Sequence, residues 1–111
     1  MKVRIPIKPL SVNECWQGRR FKTPLYKAYE QELSLQLPKI DIAPYKLRIS
    51  VWLGVSSKNS DLDNPIKPFL DILSKKYGFN DKKVYRLEVE KVDVKKGDEF
   101  IEFQIQSWKK N

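Results

Sequence analysis

The stretch LRISVWLGVSSKNSDLDNPIKPFLDILSKKYG, residues 47–78, changes its hydrophobic period halfway along. Leu47, Ile49, Val51, Leu53 and Val55 recur at every second position, the pattern of a strand with one buried face. After a polar break, Ile66, Phe69, Leu70, Leu73 and Tyr77 fall at helical spacing on one face. Asp63 or Asn64 can cap that helix, Pro65 fits its first turn, and Gly78 is a natural terminator. Pro68 removes one amide donor, but early enough in the helix for the loss to be modest. A strand leading into an amphipathic helix predicts a sheet with a helix laid on it.

Working outward, Val3, Ile5 and Ile7 alternate with Lys2, Arg4 and Pro6, a short strand that Pro9 ends or confines to an edge. Residues 10–24, LSVNECWQGRRFKTP, read as an ordered basic loop. Thr23 and Pro24 then form an N-cap and a first helical residue, and LYKAYEQELSLQL is a helix stopped by Pro38. On the other side, Tyr85, Leu87 and Val89 alternate, while Val92 and Val94 take the opposite phase, which predicts a bulge near Glu90 and Lys91. KKGD at 95–98 is a turn, and Ile101, Phe103 and Ile105 mark a last strand, expected to pair with its predecessor as an antiparallel hairpin. The order β-α-β-α-β-β predicts an α+β two-layer sandwich: a small mixed sheet with both helices on one face.

A chain of 111 residues is long enough for one core and too short for two, so residues 1–111 are read as a single domain. With 41% hydrophobic and 32% charged residues it is too apolar to be disordered. No apolar run approaches the roughly 18 to 20 residues of a membrane span, and MKVRIPIKPL lacks the apolar block of a signal peptide; the expectation is a cytoplasmic protein. Cys15 is the sole cysteine and histidine is absent, which excludes intramolecular disulfides, Cys/His zinc sites and histidine acid–base chemistry. The net charge of +8 favours a polyanionic partner, because Lys and Arg release counterions from phosphates. That charge is uneven. Residues 1–27 hold seven Lys/Arg against Glu14, residues 28–63 hold four against five acids, and residues 64–111 hold eleven against eight.

The acidic cluster therefore sits between positive flanks. Asp61 and Asp63, two apart in an extended segment, point the same way and repel unless a cation or lysine compensates. Lys67 and Asp71 lie at i and i+4 on the flank opposite the apolar stripe, and Asp81 follows as the chain leaves the helix. Carboxylates of this kind suit Mg²⁺ at a phosphodiester-cleaving site. They equally suit caps and dipole partners at a helix start, and spacing alone leaves both readings open.

With PLSVN at 9–13, DLDN at 61–64, Lys67, Asp71 and GFND at 78–81, the chain resembles the RusA family of Holliday junction resolvases over nearly its whole length. The resemblance implies a RusA-like fold and a homodimeric, Mg²⁺-dependent endonuclease (Mn²⁺ a possible substitute) acting on branched, four-way DNA. It implies metal ligation and catalysis by Asp61, Asp63 and Asp81, a catalytic basic role for Lys67, and a substrate contact for Asn13. Where some members have two aspartates in the late motif, this chain has Asn80 and then Asp81. A helix from Asn64 to Lys76 is roughly 20 Å long. Asp81, five residues beyond it, reaches back only about 17 Å. The third carboxylate is thus expected to come from the other subunit.

Asp71 either holds Lys67 or is half of an exposed pair, and Asn64 is more naturally a cap than a ligand. Arg19, Arg20, Lys22, Lys75, Lys76, Lys82 and Lys83 are candidate DNA contacts. Trp16, Phe21 and Tyr26 could stack on bases, or pack in a core or a dimer interface. Trp52 and Trp108, on the opposite phase of their strands, could cover a second face or an interface. Two other classes compete: a non-catalytic basic DNA-binding module, and a structural or interaction protein that binds neither junctions nor Mg²⁺.

Overall fold

The computed structural model describes residues 2–18, 21–42 and 44–108. In chain order they form β1 (Val3–Ile5), a 3-10 turn at Val12–Glu14, β2 (Trp16–Gln17), β3 (Phe21–Lys22), α1 (Pro24–Gln36) and β4 (Leu47–Val55). There follow α2 (Asp63–Tyr77), a 3-10 turn at Asp81–Lys83, β5 (Val84–Asp93) and β6 (Phe100–Ser107). β1, β6, β4 and β5 make one sheet in that order, and β2 and β3 make a separate two-stranded ribbon. The result is a small α+β domain of two layers.

The strand from 47 to 55 holds the centre, because its alternate residues Ile49, Val51 and Leu53 are all fully buried. They meet Phe69 and Leu73 of α2 and Tyr29 and Leu33 of α1 in one core, where Phe69 packs edge to face on Phe103 at 5.5 Å. Burying each such side chain contributes about 1.5–3 kcal/mol. On the opposite face of the sheet Arg48 bridges to Glu88 at 2.6 Å beside the half-buried Trp52.

Two expectations about pairing are corrected. β5 and β6 do not form a hairpin: they lie on either side of β4, β5 parallel to it and β6 antiparallel. α2 returns the chain to the start of β4, and a helical crossover of that kind delivers the next strand parallel to the first. The turn around 95–98 then carries the chain past the end of β4, with the Val94 amide still bonded to the Val55 carbonyl at 2.9 Å. The bulge expected near Glu90 and Lys91 is also absent, and β5 runs in unbroken register from Arg86 to Asp93. The irregularity instead faces Leu47 and Arg48, whose partners Val84 and Arg86 skip Tyr85. What looked like a phase change arises because Lys91, registered with Leu53, takes the helix side, and Val92, registered with Gly54, takes the other.

Local signals decide the helix ends. The Thr23 hydroxyl accepts from the Tyr26 amide at 3.1 Å with Pro24 opening α1, as expected. At α2 the expectation fails: the cap position is Leu62, which has no side-chain acceptor, and Asp63 is already helical. Gly78 closes α2 at φ 68, a conformation that favours glycine. Residues 10–24, expected as a loop, carry the first 3-10 turn and the ribbon, with fully buried Cys15 beneath them. Among the described residues no helix is long and apolar enough to cross a membrane.

Candidate functional site

Where β4 ends, Ser56–Ser60 turn the chain toward α2, and the Lys91 ammonium of neighbouring β5 donates to the Ser60 carbonyl at 2.8 Å. That bond fixes the loop immediately before Asp61. The Asp61 carboxylate, exposed, accepts from the Asn64 side-chain amide at 3.0 Å, so Asn64 orients Asp61 instead of capping the helix. Facing them, the first 3-10 turn packs against α2, and its own cap, Ser11, accepts from the Asn13 amide at 3.2 Å. Between these walls lies a cleft of about 360 Å³ whose lining includes Lys8, Asn13, Glu14, Asp61, Asn64 and Glu99. Segments some 50 residues apart in sequence thus share one surface.

Glu99 and Lys8 escaped the sequence reading, and no local signal marks them. Glu99 accepts from the Ser56 hydroxyl at 2.7 Å and from the Gly97 amide at 2.8 Å. The Ser56 bond, seconded by backbone amides, holds its carboxyl below the usual range.

Asp63 is exposed at the first helical position, and Lys67 is exposed one turn further on. Among the described residues no ion pair joins Lys67 to Asp71, which is half-buried. Asp81 opens the second 3-10 turn, behind Asn80, whose side chain accepts from the Lys82 amide at 2.9 Å. This turn leads into Val84, which is registered with Leu47 at the opposite end of β4 from Asp61 and Asp63. Nine residues of strand place those ends roughly 27 Å apart. The acidic residues named from the sequence are therefore split between two ends of the molecule. Among the described residues no three acidic or thiol side chains come together to hold a metal ion.

Exposed carboxylates at the start of α2 suit a cation that retains several waters, as Mg²⁺ does. One chain brings Asp61 and Asp63 to that place, and among the described residues no third carboxylate joins them.

Of the candidate DNA contacts, Lys22 is occupied: its ammonium lies 2.9 Å from Glu30, and that hydrogen bond raises its pKa. Lys75 reaches the same carboxylate at 3.9 Å, Lys76 donates to the Ser34 carbonyl at 3.1 Å, and Lys83 donates to the Pro44 carbonyl at 3.2 Å. Arg19 and Arg20 lie outside the described residues. Trp16 and Phe21 are exposed on the ribbon, but Tyr26 is buried, and burial lifts its phenol to about 12. Core packing, not stacking on a ligand, is the role of Tyr26.

Comparison of the chain with protein-family models and with curated proteins finds no match.

Proposed function

We propose that this chain is a cytoplasmic, RusA-like endonuclease that cuts four-way DNA junctions as a homodimer with Mg²⁺. The observation that carries the reading is the shared cleft: Pro9, Ser11 and Asn13 of PLSVN and Asp61 and Asn64 of DLDN, from two of the segments on which the resemblance rests, line it together. Asp61 and Asp63 of one chain and Asp81 of the other would hold the ion. When bound, Mg²⁺ supplies a water made acidic enough to attack phosphorus and a counter-charge for the departing oxygen.

The remaining work belongs to the chain's own residues. Asn64 and Lys91 fix the approach of Asp61 through the bonds described above. Lys67, one turn beyond Asp63, offsets the negative charge that develops on the phosphoryl oxygens. Asn13 offers a polar contact to the bound strand from the facing wall.

β5 is an edge strand, and its open hydrogen-bonding edge is where a second copy would pair. Antiparallel pairing of β5 with its copy about a two-fold axis lays the start of each β5, next to Asp81, against the end of the other, next to Asp61 and Asp63.

The test is nicking of a synthetic four-way junction in Mg²⁺ beside a linear duplex. Symmetric nicks in the junction alone support the reading. Asp61→Asn and Asp81→Asn should each abolish nicking while sparing junction binding. Mixing the two inactive proteins should then restore about a quarter of wild-type nicking, because half the dimers are mixed and each has one intact shared site. A site built within one chain restores none.

A second reading, a non-catalytic DNA-binding module, draws on the lack of any three converging acidic side chains among the described residues. Under it Asp61→Asn leaves junction binding intact or strengthens it, and no nick appears with any divalent ion.

A further inference from the structure

At the end of the sheet remote from Asp61, three aromatic side chains come together from distant parts of the chain. Tyr45 precedes β4, Tyr85 is the residue skipped at the irregularity of β5, and Trp108 follows β6. They line a depression of about 510 Å³ together with Lys46, Lys82 and Lys83. Tyr45 and Tyr85 are 73% and 57% exposed, far more than buried packing would leave them. The skipped register matters: Tyr85 has no partner residue in β4, and this frees its ring from the regular alternation of the strand.

The site is tied together by its backbone. The Trp108 amide donates to the Lys46 carbonyl at 2.7 Å, and the Lys83 ammonium donates to the Pro44 carbonyl at 3.2 Å. Cations already sit over the rings, the Lys46 ammonium 4.7 Å from the centre of Tyr85 and the Arg86 guanidinium 5.6 Å from that of Trp108. No acidic side chain is among the described residues that line it.

We infer that this depression binds unpaired DNA nucleotides, their bases stacked on Tyr45, Tyr85 and Trp108 and their phosphates held by Lys46, Lys82 and Lys83. An apolar protein partner would not need the cations, and a duplex would hide the base faces from the rings. Unpaired nucleotides meet both halves of the chemistry, since every base offers a π face and every linkage an anion. The stacking stands independently of the nuclease reading; only the choice of DNA over RNA rests on it.

The experiment is fluorescence anisotropy with a labelled dT decamer in EDTA at low salt, where no cleavage occurs. The double variant Tyr45→Ala/Tyr85→Ala should bind about tenfold or more weakly than wild type. An abasic decamer of equal charge should bind wild type weakly, and the variant no worse. Binding of dT should quench tryptophan emission in wild type and much less in Trp108→Phe. Both tyrosines are exposed, so the thermal melt of the double variant should match wild type. Equal affinity of wild type and variant for dT, or of abasic and dT decamers for wild type, overturns the inference. Tighter binding of an rU decamer overturns the choice of DNA. Junction nicking in Mg²⁺ is read separately, so the loss of either result leaves the other standing.

Discussion

Gly54 shows how much can hang on one missing methyl group. It pairs with Phe100 across β4 and β6, and the Phe100 ring lies where a Cβ would project, with the Arg4 guanidinium stacked 4.0 Å from the ring centre. Gly54→Ala should therefore lower stability by about 1–3 kcal/mol, read as a reduced urea midpoint at unchanged slope. At this scale the sequence was legible where the cause is local. Thr23 and Pro24 announce α1 because a cap needs only its own neighbours. Asp63 and Asn64 misled because one residue of shift in the helix start turns a cap into a helical position. Glu99 and Lys91 were invisible because the connection before β6 and the strand β5 deliver them to the loop at 56–60, as the separations of 43 and 31 residues for their bonds to Ser56 and Ser60 record.

Elements carry the next lesson. Alternation reveals that a segment is a strand, but not which strand it pairs with, and the short turn at 95–98 invited a hairpin that β4 occupies from between. The length of α2 was the better guide, since it puts Asp81 a full strand length away from Asp61. β5 also reaches across to the candidate site through Lys91. Lys91→Met keeps the apolar stem and removes the bond to the Ser60 carbonyl. It should cost about 0.5–1.5 kcal/mol, with amide exchange rising selectively over residues 57–62. If the loop aims Asp61, junction nicking should fall by more than this loss of stability explains. Unchanged exchange in the loop would show that Lys91 does not hold it.

For the whole molecule, one core and the order of its main elements followed from the periodicity, because both depend on burial along each segment. The sheet order and the bringing together of distant aromatics did not, since both depend on contacts across the chain. The net charge of +8 makes a molecular prediction. If about six lysines and arginines neutralise phosphates, junction affinity in EDTA should fall by about 10³ between 50 and 200 mM salt, along a log–log slope near −5. A flat salt dependence would argue against a polyanionic partner of any kind.

The pairing of β1 with β6 has a consequence for the order of assembly. Arg4 and Glu102, joined across it at 3.3 Å, are 98 residues apart, so β1 must wait for about that many further residues to be made before the strand that receives it exists. The helices and the parallel pair can dock earlier, since β4, α2 and β5 are consecutive. The seam between β1 and β6 closes only once residues up to 107 are available, which makes it the late, slow step expected of contacts so remote in sequence.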